Sequence, residues 1–183
     1  MDSVNKCYNC KYHCCIGEYA TFLTLRDALR IKKKIEGELE EFCFYGPICS
    51  DKKEQKKLLK SKDHTYFDFS SSGNVLQLKA KKDHSCVFLD DEKKCSVYDI
   101  RPLICRVFPV WYKDNPFTLI MDDDDCDDCW ISTGNLDSTC KNLGHSRKSM
   151  TKLIKQFKKE IDEYKGYEKY LTKMKSSEVL NYL

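Results

Sequence analysis

Between residues 7 and 15 the chain reads CYNCKYHCC, four thiols in nine residues, and eight more cysteines follow at 43, 49, 86, 95, 105, 126, 129 and 140. Sulfur at this density constrains the fold before anything else does. It serves as disulfide staples, as redox chemistry, or as metal ligands. A chain of 183 residues buries a core of its own, so staples are not required for folding. The opening MDSVNKCYNC has no apolar segment of the signal-peptide kind, so a cytoplasmic location is expected. Thiols stay reduced there, and clustered cysteines point to metal or catalysis rather than crosslinks. A hyperthermophile cytoplasm is the exception, and a composition that is 33% charged keeps it open.

Charge and hydropathy exclude two classes of partner. Lys and Arg number 32 against 29 Asp and Glu, for a net charge of +3, which is too balanced for a nucleic-acid footprint. No apolar run approaches the roughly 18 residues that a membrane span needs.

Periodicity organises the rest. Residues 24–42 predict a helix: Thr24 and Asp27 have capping-box spacing, and Leu25, Leu29, Ile35 and Leu39 recur at helical intervals. A short charged helix is expected over 51–62. Alternation on both sides of a Ser-Gly-Asn turn predicts a hairpin over 66–80, and RVFPVWY and PFTLIMD predict a second around Lys-Asp-Asn-Pro. Val87, Phe88 and Leu89 read as a short strand ahead of a polar turn, DDEKK. Met150, Leu153, Ile154, Phe157, Ile161, Tyr164, Tyr167, Leu171 and Met174 trace one stripe of a C-terminal helix over 146–180, which Gly166 weakens or interrupts. The chain is expected to divide into a cysteine-cluster domain over 1–145 and a helical segment over 146–183 packed on it.

A C-x2-C pair holds two sulfurs within reach of one ion, and both CYNC and CDDC have that spacing. Cys14 and Cys15 are adjacent, and in an extended segment they point to opposite faces. Cys86, Cys95 and Cys105 follow as C-x8-C-x9-C, with Pro102 and Pro109 stiffening the backbone around the last. Cys43 and Cys49 read as buried small hydrophobes or as further ligands. Cys126 and Cys129 sit among six aspartates, which disfavour a bare thiolate, so this pair is either inert or held by a cation. His13, His64, His84 and His145 are spare imidazoles. Arg101 and Arg106 flank Cys105 and either balance thiolate charge, hold an anionic substrate, or pair with Asp90, Asp91 or Asp99.

CYNCKYHCC, LTLRDALRI, CVFLDDEKKCSVYDIRPLICRVFP and the late CKNLGHSRK together resemble the CxxCxxCC cysteine-cluster family over roughly residues 7–145. Tyr98, Arg101, Pro102, Arg106 and Pro109 stand in place in the second motif. Cys10 and Cys14 are separated by three residues, one more than the family name implies. The resemblance implies a zinc- or iron-chelating domain, with Cys7, Cys10, Cys14, Cys15, Cys86, Cys95, Cys105 and Cys140 as metal ligands; Cys126 and Cys129 lie outside the matched set and are weaker candidates by their own C-x2-C spacing. A flagellin lysine methylase belongs to the same group, so the resemblance also admits a cluster-dependent protein lysine methyltransferase or maturation factor with a protein substrate or partner.

No G-x-G-x-x-G is present, and Gly17 stands where a third sulfur would complete C-x3-C-x2-C. Soft thiolates select zinc, copper(I) or iron–sulfur clusters. The wide spacing and the apolar neighbours Phe88, Leu89, Val97, Ile104, Val107, Phe108 and Trp111 favour a 4Fe-4S cluster, with a zinc ion as the alternative. The expected fold is a small α+β domain: a metal-bound, loop-rich centre, short antiparallel strands, flanking helices and a C-terminal amphipathic helix.

Overall fold

The computed structural model describes residues 15, 21–48, 70, 72–114, 116–121 and 135–183. The expected helix at 51–62, the first arm of the hairpin at 66–69, Cys7, Cys10, Cys14, Cys49, Cys126, Cys129, His13 and His64 lie outside the described residues. What is described is an α+β fold of short antiparallel strand pairs and helices.

Helix α1, Leu25–Ile35, begins at the capping box that Thr24 and Asp27 predict, with both reciprocal bonds formed. It ends sooner than expected. Glu36 adopts φ 54°, the left-handed conformation that closes a helix, and a separate turn of helix α2 runs Leu39–Phe42. The buried face of α1 is Asp27, Ala28 and Ile31, whereas Leu29 is 45% exposed.

Strand β1, Cys43–Pro47, pairs antiparallel with β2, Asn74–Leu78, with Tyr45 opposite Leu76. The partner of β2 is therefore residues 43–47 rather than a strand just before the Ser-Gly-Asn turn. Along β2, Val75 joins one apolar cluster while Leu76 and Leu78 join the other. Both faces of this strand are covered, as alternation requires of a strand lying between two cores. Gln77 is buried at 3% exposure, and its amide donates to the Gly46 and Pro47 carbonyls at 3.0 and 2.9 Å. On its other edge, β2 meets the segment before α1: Leu23 N–H donates to Leu76 O, and Leu78 N–H to Thr21 O, both at 2.9 Å.

A 3-10 turn, Tyr98–Ile100, precedes the short helix α3, Leu103–Val107. The expected second hairpin forms as β3, Val110–Lys113, with β4, Thr118–Met121. Helix α4, Leu136–Asn142, is capped by Asn135, whose side chain accepts from the N–H groups of Asp137 and Ser138. Helix α5 then runs Arg147–Leu171 from its cap Ser146, and α6 covers Ser176–Tyr182.

At about 37 Å, α5 is long enough to serve both cores. Met150, Leu153, Ile154, Phe157 and Ile161 pack into the cluster that holds Leu103, Val107, Val110 and Trp111. Tyr164 and Leu171 pack into the cluster that holds Leu23, Ile31, Phe42, Leu76 and Val179. The stripe is as expected except at Tyr167, which is 46% exposed. Gly166 does not interrupt the helix, which breaks later, at Thr172–Lys175. Two carboxylates on the buried side are fully bonded. Glu160 accepts from Thr24 Oγ1 at 2.7 Å and Gln156 Nε2 at 2.9 Å, and Glu168 accepts from Ser70 Oγ at 2.6 Å and Ser72 N–H at 2.8 Å. Paired in this way, each fixes a neighbouring segment on α5 without an orphaned buried charge.

Candidate metal centre

Six cysteines lie in the described residues. Cys15, Cys86, Cys95 and Cys105 are half-buried, while Cys43 and Cys140 are buried. Cys86 and Cys95 belong to a compact knuckle. Lys81 N–H donates to Ser85 O at 2.7 Å, and the Asp83 carboxylate accepts from both the Ser85 N–H and hydroxyl. Residues 87–89, expected as a strand, instead form a turn closed by Leu89 N–H on Cys86 O at 3.0 Å. Leu89 then pairs with Cys95 as an isolated bridge. The polar DDEKK turn between them closes as expected: Asp90 N–H donates to Lys94 O at 2.9 Å, the Asp90 side chain accepts from Lys94 N–H at 2.7 Å, and Lys93 takes φ 60°. Phe88 and Leu89, 8% and 7% exposed, plug the knuckle against the core.

One backbone bond joins the two cysteine motifs. Cys86 N–H donates to the Cys15 carbonyl at 2.7 Å, so the last thiol residue of the N-terminal motif lies against the first of the second. Cys95 in turn leads into the 3-10 turn, its carbonyl accepting from Tyr98 N–H at 3.1 Å.

Cys105 is carried by α3. Leu103 and Val107, both fully buried, pin one side of that helix, which leaves Ile104, Cys105 and Arg106 half-buried. Pro102 occupies the cap position and has no side-chain bond to offer. The missing cap comes from α1: Leu103 N–H donates to the buried Asp27 carboxylate at 3.1 Å. The same carboxylate accepts from Thr24 N–H at 3.2 Å and pairs with Arg30. Burial pushes the Asp27 carboxyl up to about 6, against the opposing pull of Arg30 and the two N–H donors. In the sequence, Asp27 reads only as the cap of its own helix. Its second role depends on packing between residues far apart in the chain.

The remaining thiols separate by burial. Burial pushes Cys43 up to about 12, and its Sγ donates to Leu39 O at 3.2 Å, in keeping with a small core residue. Cys140 is 0% exposed among Leu103, Val107 and Met150, and burial also raises its thiol. Burial raises Cys86 as well, while Lys81 opposes it. Of the histidines, His84 is exposed. His145 is half-buried, its N–H donates to Cys140 O at 2.8 Å, and burial with Arg106 and Arg101 lowers its pKa.

Among the described residues, no three Cys, His, Asp or Glu side chains converge as a metal-ligating group. Half-buried thiols on a tight turn and a pinned helix are donors of the chemistry that suits a thiophilic ion. No helix among the described residues is long and apolar enough to cross a membrane. No solved structure matches the fold. A family model does match, over residues 6–170, which runs past Cys140 and takes in most of α5. Its description is "CxxCxxCC: Putative zinc- or iron-chelating domain", and the chain belongs to that family.

Proposed function

We propose that this chain binds a thiolate-ligated metal centre in which Cys7, Cys10, Cys14 and Cys15 act together with Cys86, Cys95, Cys105 and Cys140. The observation that carries this reading is the 2.7 Å bond from Cys86 N–H to Cys15 O, which sets the two motifs side by side. The fully buried Cys140 enters the set as a ligand of a closed, solvent-shielded site. A 4Fe-4S cluster is favoured over zinc. The ligands of the second motif are widely spaced single cysteines, and Phe88, Leu89 and Val97 give the knuckle an apolar, water-excluding wall. When bound, the centre supplies electron transfer if it is iron–sulfur, and structural crosslinking if it is zinc.

Mössbauer and visible absorption spectra of the anaerobically purified protein test the choice of metal. Iron–sulfur charge-transfer bands support the cluster, and a colourless zinc protein rejects it. The alternative, a cluster-dependent protein lysine methyltransferase, requires adenosylmethionine. A thermal-shift titration with that cofactor separates it from a metal protein without one.

A further inference from the structure

Helix α3 is five residues long, and Cys105 is its third. A helix so short is not stable by itself, so the place of Cys105 depends on what holds the helix. Leu103 and Val107, both fully buried, hold one side. Asp27 holds the N-terminal end: its carboxylate Oδ1 accepts from Leu103 N–H at 3.1 Å, two residues before Cys105. The first N–H groups of any helix have no partner within it, and this bond satisfies the first of them in α3.

The capping box of α1 does not require that bond. Thr24 N–H donates to Oδ2 of Asp27 at 3.2 Å, and Asp27 N–H donates to Thr24 Oγ1 at 3.0 Å. The box is then complete, and Oδ1 serves Leu103 and Arg30. The same Thr24 hydroxyl donates to Glu160 Oε2 at 2.7 Å, and Arg26 makes a two-pronged pair with Glu163 at 2.6 and 2.8 Å. The start of α1 is thereby fastened to both α5 and α3, and the bonds run without a gap from Glu160 through Thr24 and Asp27 to Leu103. Thr24, Asp27 and Glu160 are 0%, 0% and 4% exposed, so water is poorly placed to replace a lost bond.

We propose, on the reading of Cys105 as a metal ligand, that Asp27 is a positioning residue of the metal centre: it fixes the turn that carries Cys105 and, through Thr24 and Glu160, ties that turn to α5. A carboxylate is the group that fits. It accepts from Leu103 and Thr24 at once, one oxygen each, whereas an amide in its place has a single accepting oxygen and sets its own N–H against one of the two donors. Residues that orient a ligand from outside the ligand set change metal affinity by about 10–100-fold when they are lost.

The test uses the full chain, purified anaerobically with its metal. Release is timed in excess EDTA for zinc or bathophenanthroline for iron. After metal removal, iodoacetamide labelling of Cys105 and of Cys86 is followed by mass spectrometry. Asp27→Asn and Asp27→Ala should speed release by roughly tenfold or more, and should speed labelling at Cys105 more than at Cys86. Thr24→Val keeps the Asp27 carboxylate but cuts the link to Glu160, and should act in the same direction. Asp27→Asn, of the same size as the wild type, and Thr24→Val keep the test decisive if Asp27→Ala fails to fold. Tyr164→Phe, whose lost bond is to Leu76 of β2, should leave both rates as in the wild type, which separates positioning from a general loss of stability. Wild-type release in the Asp27 variants, or equal acceleration in Tyr164→Phe, would overturn the proposal while the metal reading stands. Unchanged release in Thr24→Val would overturn the tie to α5. A wild type that binds neither zinc nor iron would overturn the metal reading, and this proposal with it.

Discussion

Replacing Tyr164 with Phe removes one oxygen atom from the centre of the molecule. Tyr164 is fully buried on α5, and its hydroxyl accepts a 2.9 Å bond from the Leu76 N–H of β2. Leu76 faces away from β1 and exchanges only one ladder bond with the segment before α1, through its carbonyl to Leu23 N–H. Its own N–H depends on Tyr164. Phe keeps the ring and its packing, so the loss is an unsatisfied buried donor, which costs about 1–3 kcal/mol. Taking about 2 kcal/mol, and about 2–4 °C per kcal/mol for a chain of this size, the melting temperature should fall by about 4–8 °C. Burial pushes the Tyr164 phenol well above its ordinary pKa, so it stays protonated and the loss should be the same at pH 6 and pH 9. Urea denaturation of both proteins measures it, with the 46% exposed Tyr167→Phe as a neutral control. A Tyr164→Phe change below about 0.5 kcal/mol would show that Leu76 N–H finds another acceptor, and the reasoning would fail.

Asp27→Asn probes the buried carboxyl beneath α3. With the folded pKa raised to about 6 above an ordinary value of 3.8, the folded state holds its proton longer than the unfolded chain does. Asp27 thus contributes most below about pH 4, and that contribution is lost as pH rises through 6, by up to roughly 3 kcal/mol. The stability of the wild type relative to Asp27→Asn should shrink between pH 4 and pH 7, and a flat difference in pH-dependent urea melts would count against this. Deleting residues 176–183 removes Val179 and Leu180, 0% and 8% exposed in the second core. At roughly 1.5–3 kcal/mol for each buried side chain, the melting temperature should drop by about 6–24 °C. An unchanged melt would assign α6 to a partner instead of the fold.

The parts of this fold legible in the sequence are those in which one local pattern decides the outcome. The stripe on α5 and the Thr24–Asp27 cap depend on neighbours three or four residues apart, and both form. So does the 110–121 hairpin, whose turn is local. Pattern reading failed where polar residues are buried. Counting leucines put Leu29 on the inner face of α1, but Asp27 occupies that face because Arg30, Thr24 and Leu103 satisfy it. Strand β1 was hidden because CFYGP carries Gly and Pro and pairs with β2 across a long stretch of chain. The run Val87–Leu89 is too short for periodicity to separate a strand from a turn. At the site, the sulfurs are visible in the sequence by type and spacing. The bond from Cys86 to Cys15 and the cap lent to α3 by Asp27 exist only after folding.

Elemental analysis of the anaerobically purified protein, wild type beside Cys95→Ser, tests the central claim most directly. A thiolate centre shared between the two motifs predicts at least about one zinc or iron per wild-type chain and a substantial loss in Cys95→Ser, because the knuckle then offers the centre one thiolate fewer. A wild-type chain with neither metal, or a Cys95→Ser protein with its full complement, would contradict it.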